Sequence, residues 1–338
     1  MRRAGNHVAP RAPDAGPVAR AVREGLLGAR KSLPPWLLYD DEGARLYERI
    51  TRLPEYYLSR AERGIFESHA EAIVAAARGH EHARLYVAEL GAGTAKKSQL
   101  LLRAVARAQG SVSFLAADIS RPAVAIAAER LAQEEPMVRV RSLVGRHEAA
   151  LREIGVQRGR KLVLFIGSSI GNYDDREARL LLGRIRRSVR PDGVLVLGTD
   201  LKKDPRLLVR AYDDRSGVTA AFDKNVLTRI NRELGGRFDP DRFRHVAIWN
   251  AAASRIEMHL ESRTDQLVPI DGLRMKVAFR RGERIHTESS VKYDESMVDA
   301  LFDASGFARV ATFVDARRGF AVHLGRVAGA QNARVRAA

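Results

Sequence analysis

The chain has 338 residues, enough for one large domain or two interlocked ones, and its 45% hydrophobic and 29% charged residues are typical of a globular protein. It contains no cysteine, which excludes disulfides, thiolate zinc sites and cysteine nucleophiles and is compatible with a cytoplasmic location. No apolar run approaches the roughly 20 residues of a membrane span, and the first residues lack the apolar segment of a secretory signal, so we expect no membrane partner.

The formal charge of +17 raises the question of a nucleic-acid partner. Nucleic-acid-binding proteins concentrate Lys and Arg in one stripe, often interleaved with aromatic residues that stack on bases. Here much of the excess is arginine scattered along predicted helices, as between residues 179 and 190, and aromatic residues make up only 6% of the chain. The pattern favours a solvated basic surface without a specific nucleic-acid partner.

The first part of the chain leads into two helices. Residues 1–30 are rich in Ala and Arg and are partly helical at most. Lys31–Pro35 is predicted to be extended, since each of its two prolines fixes φ and restrains the residue before it. Helices are expected over 41–51 and 59–77, separated by the stretch Leu53-Pro54-Glu55-Tyr56-Tyr57.

A regular alternation of strands and helices starts near residue 85. Short apolar runs separated by helices of this length indicate a parallel sheet with helices on both faces. The predicted strands are 85–90, 112–119, 138–144, 161–168 and 194–199, and the helices between them are 97–108, 121–133 and 174–189. The alternation of strands and helices ends after Asp200. Residues 204–234 are predicted to be helical, and residues 244–293 have the alternating pattern of strands. Two last strands, near 307–313 and 320–324, are expected to close the sheet.

The loop after the first strand has the glycines of a nucleotide-type cofactor site. Gly91 and Gly93 let the backbone approach a ligand closely. A dinucleotide fingerprint needs a third glycine three residues after Gly93, and Lys96 stands there. Glu89, before the first glycine, is the acidic residue typical of the methyltransferase version of this loop. The loop therefore favours S-adenosylmethionine over NAD.

Asp118 ends the second strand, where a carboxylate can accept hydrogen bonds from both ribose hydroxyls of an adenosyl group. A tight turn followed by an N-capping Asp is the alternative interpretation of these residues. With the strand pattern, they predict an α/β fold, namely a Rossmann-like class I methyltransferase sheet with a second, α+β substrate-binding domain. We expect the core to comprise 61–202 and 293–327, the substrate-binding domain 20–60 and 203–292, and the ends, 1–19 and 328–338, to be flexible.

The acceptor site is expected beyond the fourth strand, because ligands of such sheets lie beyond the carboxyl ends of the strands. That strand runs into Gly167-Ser168-Ser169-Ile170-Gly171-Asn172-Tyr173, which brings Asn172 near the methyl group of the cofactor. Nucleic-acid amino-methyltransferases usually have an Asp/Asn-Pro-Pro-aromatic motif here, and its absence argues against base flipping. A loop-capping role for Asn172 remains open.

The sequence His80-Glu81-His82 has the residue types of a metal site but not the spacing. It matches no helical or tight zinc motif and lacks an identifiable third ligand. We predict no metal site.

Nine short blocks make the chain resemble the L-histidine N-alpha-methyltransferases, which form trimethylhistidine (hercynine) for ergothioneine biosynthesis. The resemblance covers roughly residues 30–325, and most of the blocks lie outside the generic cofactor fold. The blocks are 31–35 (KSLPP), 51–57 (TRLPEYY), 198–201 (GTDL), 211–214 (AYDD), 217–222 (GVTAAF), 225–227 (NVL), 231–234 (NREL), 255–258 (RIEM) and 287–292 (TESSVK).

The resemblance implies roles for individual residues. The positions on the cofactor side are Tyr39, Gly91, Gly93, Lys97 and Asp118, with the segment Gly145-Arg146-His147. The positions that hold the amino and carboxylate groups of the substrate are Tyr56, Gly167, Asn172 and Tyr212, and those around the imidazole are Met258, Glu288 and Ser290. The residues expected at the reacting amine are Tyr56, Asn172 and Tyr39.

The strand pattern agrees with the implied imidazole site. Glu288 and Ser290 are two positions apart in a predicted strand and therefore share a face. Neutral imidazole has one N–H donor and one acceptor nitrogen, so a carboxylate can accept from the first and a hydroxyl can donate to the second. Exposure of Glu288 on the strand, and edge packing of Tyr56 and Tyr212, are the alternatives that the residues alone leave open.

Some positions depart from the family. Gly145-Arg146-His147 stands where the family typically has Gly-Asp-Phe, whose Asp accepts from the adenine amino group and whose Phe flanks the ring. Arg146 has no acceptor atom, so adenine has to be held differently, by backbone groups and with His147 as the wall. Tyr47, Ala92 and Ser98 also differ from the usual residues.

The resemblance thus implies an enzyme that methylates the α-amino group of L-histidine with S-adenosylmethionine. We expect it to be cytoplasmic, given the lack of cysteine, and monomeric, since no coiled coil or obvious apolar patch is visible in the sequence. Three alternatives remain open at this point. They are a methyltransferase of the same family acting on another amino acid or amine, a nucleic-acid-binding methyltransferase-like protein that uses the +17 charge, and an inactive scaffold whose cofactor site has decayed around Arg146.

Overall fold

The computed structural model describes residues 16–328, which form helices and strands in close agreement with the sequence pattern. The helices are α1 (Pro17–Leu27), α2 (Asp41–Ile50), α3 (Leu58–Arg78), α4 (Ser98–Gln109), α5 (Arg121–Glu134), α6 (His147–Val156), α7 (Asp175–Val189), α8 (Pro205–Tyr212), α9 (Val218–Leu234) and α10 (Glu295–Ser305). The strands are β1 (Leu85–Leu90), β2 (Val112–Asp118), β3 (Val138–Val144), β4 (Arg160–Phe165), β5 (Val194–Asp200), β6 (Phe243–Asn250), β7 (Arg255–Ser262), β8 (Gln266–Ile270), β9 (Met275–Phe279), β10 (Arg284–Val291), β11 (Phe307–Val314) and β12 (Phe320–Val327).

Seven strands form one sheet in the order β11-β12-β5-β4-β1-β2-β3. Strands β1 to β5 are parallel, and β12 is antiparallel to both β5 and β11. This confirms the predicted Rossmann-like class I methyltransferase sheet and the closing pair of strands. The crossover between β1 and β4 is a topological switch point, where the carboxyl ends of neighbouring strands open a crevice for ligands.

Each face of this sheet has its own hydrophobic core, because alternate residues of a strand point to opposite faces. In β4, Leu162 and Leu164 join one cluster, while Val163 and Phe165 join the other. The first cluster continues into the smaller sheets through residues such as Met258. The main sheet and the segment after β5 therefore share one continuous core.

The second sheet is antiparallel, with the order β10-β7-β6, and β8 pairs with β9 in a separate hairpin. Glu288 of β10 lies opposite Met258 of β7, and the register shifts between His286 and Glu288, so Thr287 is the extra residue of a β-bulge. The Thr287 hydroxyl donates to the Met258 carbonyl oxygen at 3.1 Å. The bulge fixes which residues of β10 face the same way as Met258.

Two predicted elements differ from the structure, and two helices were not predicted. The helical stretch 204–234 is two helices, because Asp214 accepts hydrogen bonds from Val218 N and Thr219 N and caps α9 after a left-handed Gly217. Burial acts to raise the pKa of Asp214, but the hydrogen bonds to Ser216, Thr219 and Val218 outweigh it and lower that pKa to about 2. The fourth strand ends at Phe165 rather than at residue 168, and α6 and α10 were not predicted.

Of the predicted flexible ends, residues 1–15 and 329–338 lie outside the described residues, whereas 17–19 are part of α1. The division into two domains stays a prediction. Within residues 16–328, no helix is long and apolar enough to cross a membrane.

Candidate active site

The glycine loop after β1 leaves open space beside its backbone. Gly91 and Gly93 have φ values of +76° and +52°, and a Cβ added at either would meet nothing within 4 Å. Gly93 N donates to Asp118 Oδ2 at 2.9 Å, and Ser120 N donates to Asp118 Oδ1 at 2.9 Å. Asp118 thus holds the loop in place, and each carboxylate oxygen keeps a free lone pair for a further donor.

The acidic residues around this loop suit a cationic ligand. Glu89 is 3% exposed, and its Oε2 has no hydrogen-bond partner within the described part of the chain. Burial raises the pKa of Glu89 to about 8; a hydrogen bond to Ser98 and the charge of Lys97 oppose this, and the carboxylates of Glu62 and Asp118 add to it. An unpartnered buried carboxyl oxygen with two neighbouring acids fits a group with a sulfonium and an ammonium, such as S-adenosylmethionine. Among the described residues, Gly91, Gly93, Asp118 and Glu89 are those that would hold it.

A buried acid on α3 connects the loops after β1 and β4. Glu62 is 0% exposed and accepts hydrogen bonds from Gly167 N, at 2.8 Å and 3.0 Å to its two oxygens. It also forms an ion pair with Lys97, which precedes α4. Burial acts to lower the pKa of Lys97, but the charge of Glu62 outweighs it and the pKa is raised. The predicted residues Lys97 and Gly167 are therefore brought together through Glu62, which the sequence analysis did not single out.

A cavity lies next to this connection and is lined by every predicted acceptor residue. The predicted residues that line it are Tyr39, Tyr56, Gly167, Asn172, Tyr212, Met258, Glu288 and Ser290. They come from elements distant in the sequence. Tyr39 is placed by the segment 31–38, which is anchored to β10 because Leu33 N donates to the His286 carbonyl oxygen at 2.8 Å.

Glu288 is the central acid of this cavity. It is 6% exposed, and its Oε1 accepts from Asn172 Nδ2 at 3.1 Å and from the Tyr39 hydroxyl at 3.3 Å. Burial, with a smaller effect of Asp223, raises the pKa of Glu288 to about 8. Glu288 therefore faces the cavity rather than bulk solvent, and it holds a proton at neutral pH.

Aromatic rings form the walls of the cavity. Tyr39 lies with its ring centroid 5.6 Å from Tyr47 and 5.2 Å from Phe222, and Tyr56 lies 6.1 Å from Tyr212. Burial raises the pKa values of Tyr39 and Tyr56 well above the ordinary range. Both phenols stay protonated near neutral pH and can act as hydrogen-bond donors, while their faces can contact a methylated ammonium.

The segment that departs from the family lies beside Asp118. Gly145 N donates to the Asp118 carbonyl oxygen at 2.9 Å, and the Arg146 guanidinium lies 4.6 Å from the centre of the Trp36 ring. Arg146, Trp36 and Tyr39 line a second cavity, so Tyr39 faces both. His147 begins α6, with its Nδ1 3.4 Å from the Tyr173 hydroxyl.

Several residues of the acceptor cavity were not predicted from the sequence. Thr219 and Phe222 line it. Both belong to GVTAAF, one of the blocks that carry the resemblance, and this block could have indicated them. Lys292 lies behind it and ends another such block, TESSVK. Asp223 has no comparable signal, because it lies in α9 and acts through space.

The described residues contain no group of three or more His, Asp or Glu side chains that could hold a metal ion. In the stretch 80–82, Glu81 forms an ion pair with Arg160.

Comparison with known proteins extends over both sheets. A family described as "Histidine-specific methyltransferase, SAM-dependent" matches residues 18–327. The chain is 40% identical to the histidine N-alpha-methyltransferase of Mycolicibacterium smegmatis, over 90% of this chain and 93% of that protein. It is 40% identical to the histidine N-alpha-methyltransferase of Mycobacterium tuberculosis, over 92% and 96%. It is 28% identical to ergothioneine biosynthesis protein 1 of Neurospora crassa, over 83% of this chain and 31% of that longer protein. The similarity therefore includes the loops and strands that form the cleft.

Proposed function

The chain belongs to the SAM-dependent, histidine-specific methyltransferase family, and we propose that it transfers methyl groups from S-adenosylmethionine to the α-amino group of L-histidine. Three transfers give hercynine, the trimethylated betaine, as the first step of ergothioneine biosynthesis. The observation that carries the proposal is the buried cavity in which Glu288, Ser290 and Met258 lie together with Asn172 and Tyr56. We expect the enzyme to act as a monomer in the cytoplasm.

The cleft has two parts with different chemical tasks. When bound, S-adenosylmethionine supplies an electrophilic methyl group on a sulfonium. Gly91, Gly93 and Asp118 would hold its adenosyl part, and Glu89 would accept from its ammonium. Lys97, through Glu62, fixes the Gly167 backbone between the two parts. The protein then acts mainly by proximity and orientation.

At the acceptor end, the protein has to present a neutral amine. The α-ammonium of an amino acid loses its proton with a pKa of about 8, so no strong base is needed. Tyr56 and Tyr39, whose raised pKa values keep them protonated, relay the proton to solvent through their hydroxyls rather than by becoming tyrosinates. Asn172 and Tyr212 hold the substrate carboxylate, so the lone pair of the amine is aligned with the sulfonium methyl group in each of the three transfers.

Glu288 and Ser290 select the imidazole. Glu288 accepts from its N–H, and the Ser290 hydroxyl donates to its other nitrogen. Asn172 Nδ2 and the Tyr39 hydroxyl donate hydrogen bonds to Glu288, which keep the Glu288 carboxyl group directed into the cavity. The aromatic rings around the amine suit a charge that becomes more methylated with each transfer.

The test is to incubate the purified chain with S-adenosylmethionine and each of the twenty amino acids, and to follow product masses. We expect histidine, and no other amino acid, to gain three methyl groups. Methylation of a different amino acid would assign the enzyme to another substrate of the family. No methylation, with no heat on titration of S-adenosylhomocysteine, would indicate an inactive scaffold.

A further inference from the structure

A fully buried lysine lies behind the acceptor cavity. Lys292 is 0% exposed, and its Nζ contacts three oxygen atoms. These are Asp200 Oδ2 at 2.8 Å, the Tyr212 hydroxyl at 2.9 Å and Ser290 Oγ at 2.8 Å. An ammonium has three N–H donors and no acceptor, so every hydrogen of Lys292 is used.

The fold brings these groups together where the two sheets meet. Asp200 ends β5, and Tyr293 N donates to the Asp200 carbonyl oxygen at 2.9 Å. Lys202 N donates to the Tyr293 carbonyl oxygen, also at 2.9 Å. This short parallel bridge places Lys292, just after β10, against the end of β5.

Lys292 determines what the two hydroxyls can do. Tyr212 and Ser290 both line the acceptor cavity, and their oxygens lie 2.7 Å apart. Because each oxygen already accepts from Lys292, neither hydroxyl can point its proton toward the lysine. One proton bridges the pair, and the other is free for the cavity. When a ligand replaces the bridging bond, both protons are directed away from Lys292, so Tyr212 can donate to a carboxylate while Ser290 donates to the imidazole nitrogen.

The charge of the cluster points to the same kind of ligand. Asp200 is 0% exposed, and it already accepts from the Tyr57 hydroxyl at 2.9 Å and forms an ion pair with Lys203. Lys292 is thus the second cation on this carboxylate, and the carboxylate of Asp315 also acts on the first one, Lys203. Because the Lys292 ammonium lies 2.9 Å from the Tyr212 hydroxyl, an anion that accepts from that hydroxyl lies close to its positive charge.

We propose that Lys292 is a positioning residue that, through Tyr212, gives the pocket its preference for an amine carrying a carboxylate, while the Ser290 hydroxyl stays available to the imidazole. The inference rests on the proposed function, since it assumes that an amino acid occupies this cavity. Lys292 is not among the residues that line the acceptor cavity, so it acts through those that do. It acts by directing two hydroxyl protons and by supplying positive charge behind them.

The experiment compares L-histidine with L-histidinamide, which keeps the α-amine and the imidazole but has no carboxylate. In Lys292→Met, KM for histidine should rise about tenfold or more, while kcat stays within about threefold, because the lost interaction is present in both ground and transition states. KM for histidinamide should change by less than about threefold. In Lys292→Gln, whose amide can donate two hydrogen bonds, KM for histidine should be intermediate.

Lys203→Met is the matched control. It removes the other cation on Asp200, but Lys203 bonds to Tyr57 and Asp200 and to neither cavity hydroxyl. The preference for histidine over histidinamide should stay within about threefold of the wild-type value. If Lys292→Met does not fold, the double variant Asp200→Asn with Lys292→Met carries the same comparison without a buried carboxylate that has lost one of its two cations.

The outcomes separate this inference from the proposed function. If the wild type methylates histidine but Lys292→Met keeps the wild-type preference for histidine over histidinamide, the inference is wrong while the proposed function stands. The same conclusion follows if Lys292→Met loses equally for histidine and histidinamide, or if Lys292→Met and Lys292→Gln lose equally. Wild type that does not methylate histidine would overturn the proposed function. The comparison is then made with the amino acid that it does methylate and the amide of that amino acid.

Discussion

The two ends of the cleft are built in different ways. The cofactor end uses a short run of chain, the glycine loop after β1, and one acid on the neighbouring strand that accepts from backbone N–H groups. The acceptor end uses side chains from the segment before α2, from the loop after β4, from α8 and from β7 and β10. The first depends on backbone geometry that many sequences can adopt, whereas the second depends on particular side chains that only the folded chain brings together.

If this difference is right, the largest effect should come from the residue that joins the two ends. Glu62→Ala removes the acceptor of Gly167 N and the partner of Lys97, which is 26% exposed. We expect the free energy of unfolding to fall by about 3 kcal/mol, since a partly buried cation loses its partner. Denaturant unfolding measures this. Glu67→Ala, in the same helix and paired with Arg63 on the surface, should change stability by less than about 0.5 kcal/mol. Equal effects of the two changes would contradict a joining role.

Changing the acceptor end alone should affect only the acceptor. Glu288→Ala should lose about 1.5–3 kcal/mol of histidine recognition, which is roughly a 10- to 150-fold lower kcat/KM. The affinity for S-adenosylhomocysteine, measured by calorimetry, should stay at the wild-type value. Glu261→Ala is the control, because Glu261 lies on β7 and pairs with Arg244 and Arg284 away from the cavity. A Glu288 variant that used histidine as well as wild type would show that the imidazole lies elsewhere.

The reverse experiment changes the cofactor end. Asp118→Ala removes the acceptor of Gly93 N and Ser120 N together with the proposed ribose contact. S-adenosylhomocysteine should bind about tenfold more weakly, by loss of charge-assisted hydrogen bonds. The ranking of amino acids as acceptors should not change. A changed ranking would mean that the two ends are not separable.

The smallest expected effect is a pH dependence of the acceptor end. Burial raises the pKa of Glu288 to about 8. Because this pKa is higher than in the unfolded chain, protonation of Glu288 stabilises the folded state. This contribution is complete at pH values below the ordinary pKa of a carboxyl group and is lost as the pH rises through about 8. To accept from a neutral imidazole, Glu288 has to release that proton. At pH 7, calorimetry in buffers of different ionisation enthalpy should find about one more proton released per histidine bound in wild type than in Glu288→Gln. Equal proton release would place the ionisation on another group.

The cofactor end was predictable because its signal is local. The strand, the glycines and Asp118 lie within about thirty residues, and their order in the sequence determines how they are arranged in space. The acceptor end became predictable only through the resemblance. Nothing in the pattern of single residues separates Glu288 from an exposed strand acid, since its burial depends on Tyr39 and Asn172, more than a hundred positions away.

Two residues that act behind the cavity were given no role from the sequence. Glu62 is a single acid in a long amphipathic helix, and Lys292 follows a strand where a lysine is ordinarily a surface residue. Their importance arises from burial in the assembled fold, which no local pattern reports. The break between α8 and α9 was missed for a smaller reason, since the capping role of Asp214 is visible in the sequence as Asp followed by Ser and Gly.

The bulge at Thr287 bears on how pockets of this kind diversify over evolution. Adding or deleting one residue in β10 would reverse the side of the strand on which Glu288 and Ser290 emerge and would remove both at once. New acceptors can therefore be gained by exchanging side chains at fixed positions of the strand, while insertions and deletions are tolerated only outside it. Descendants with altered specificity should keep the spacing of this strand even where its residues have been replaced.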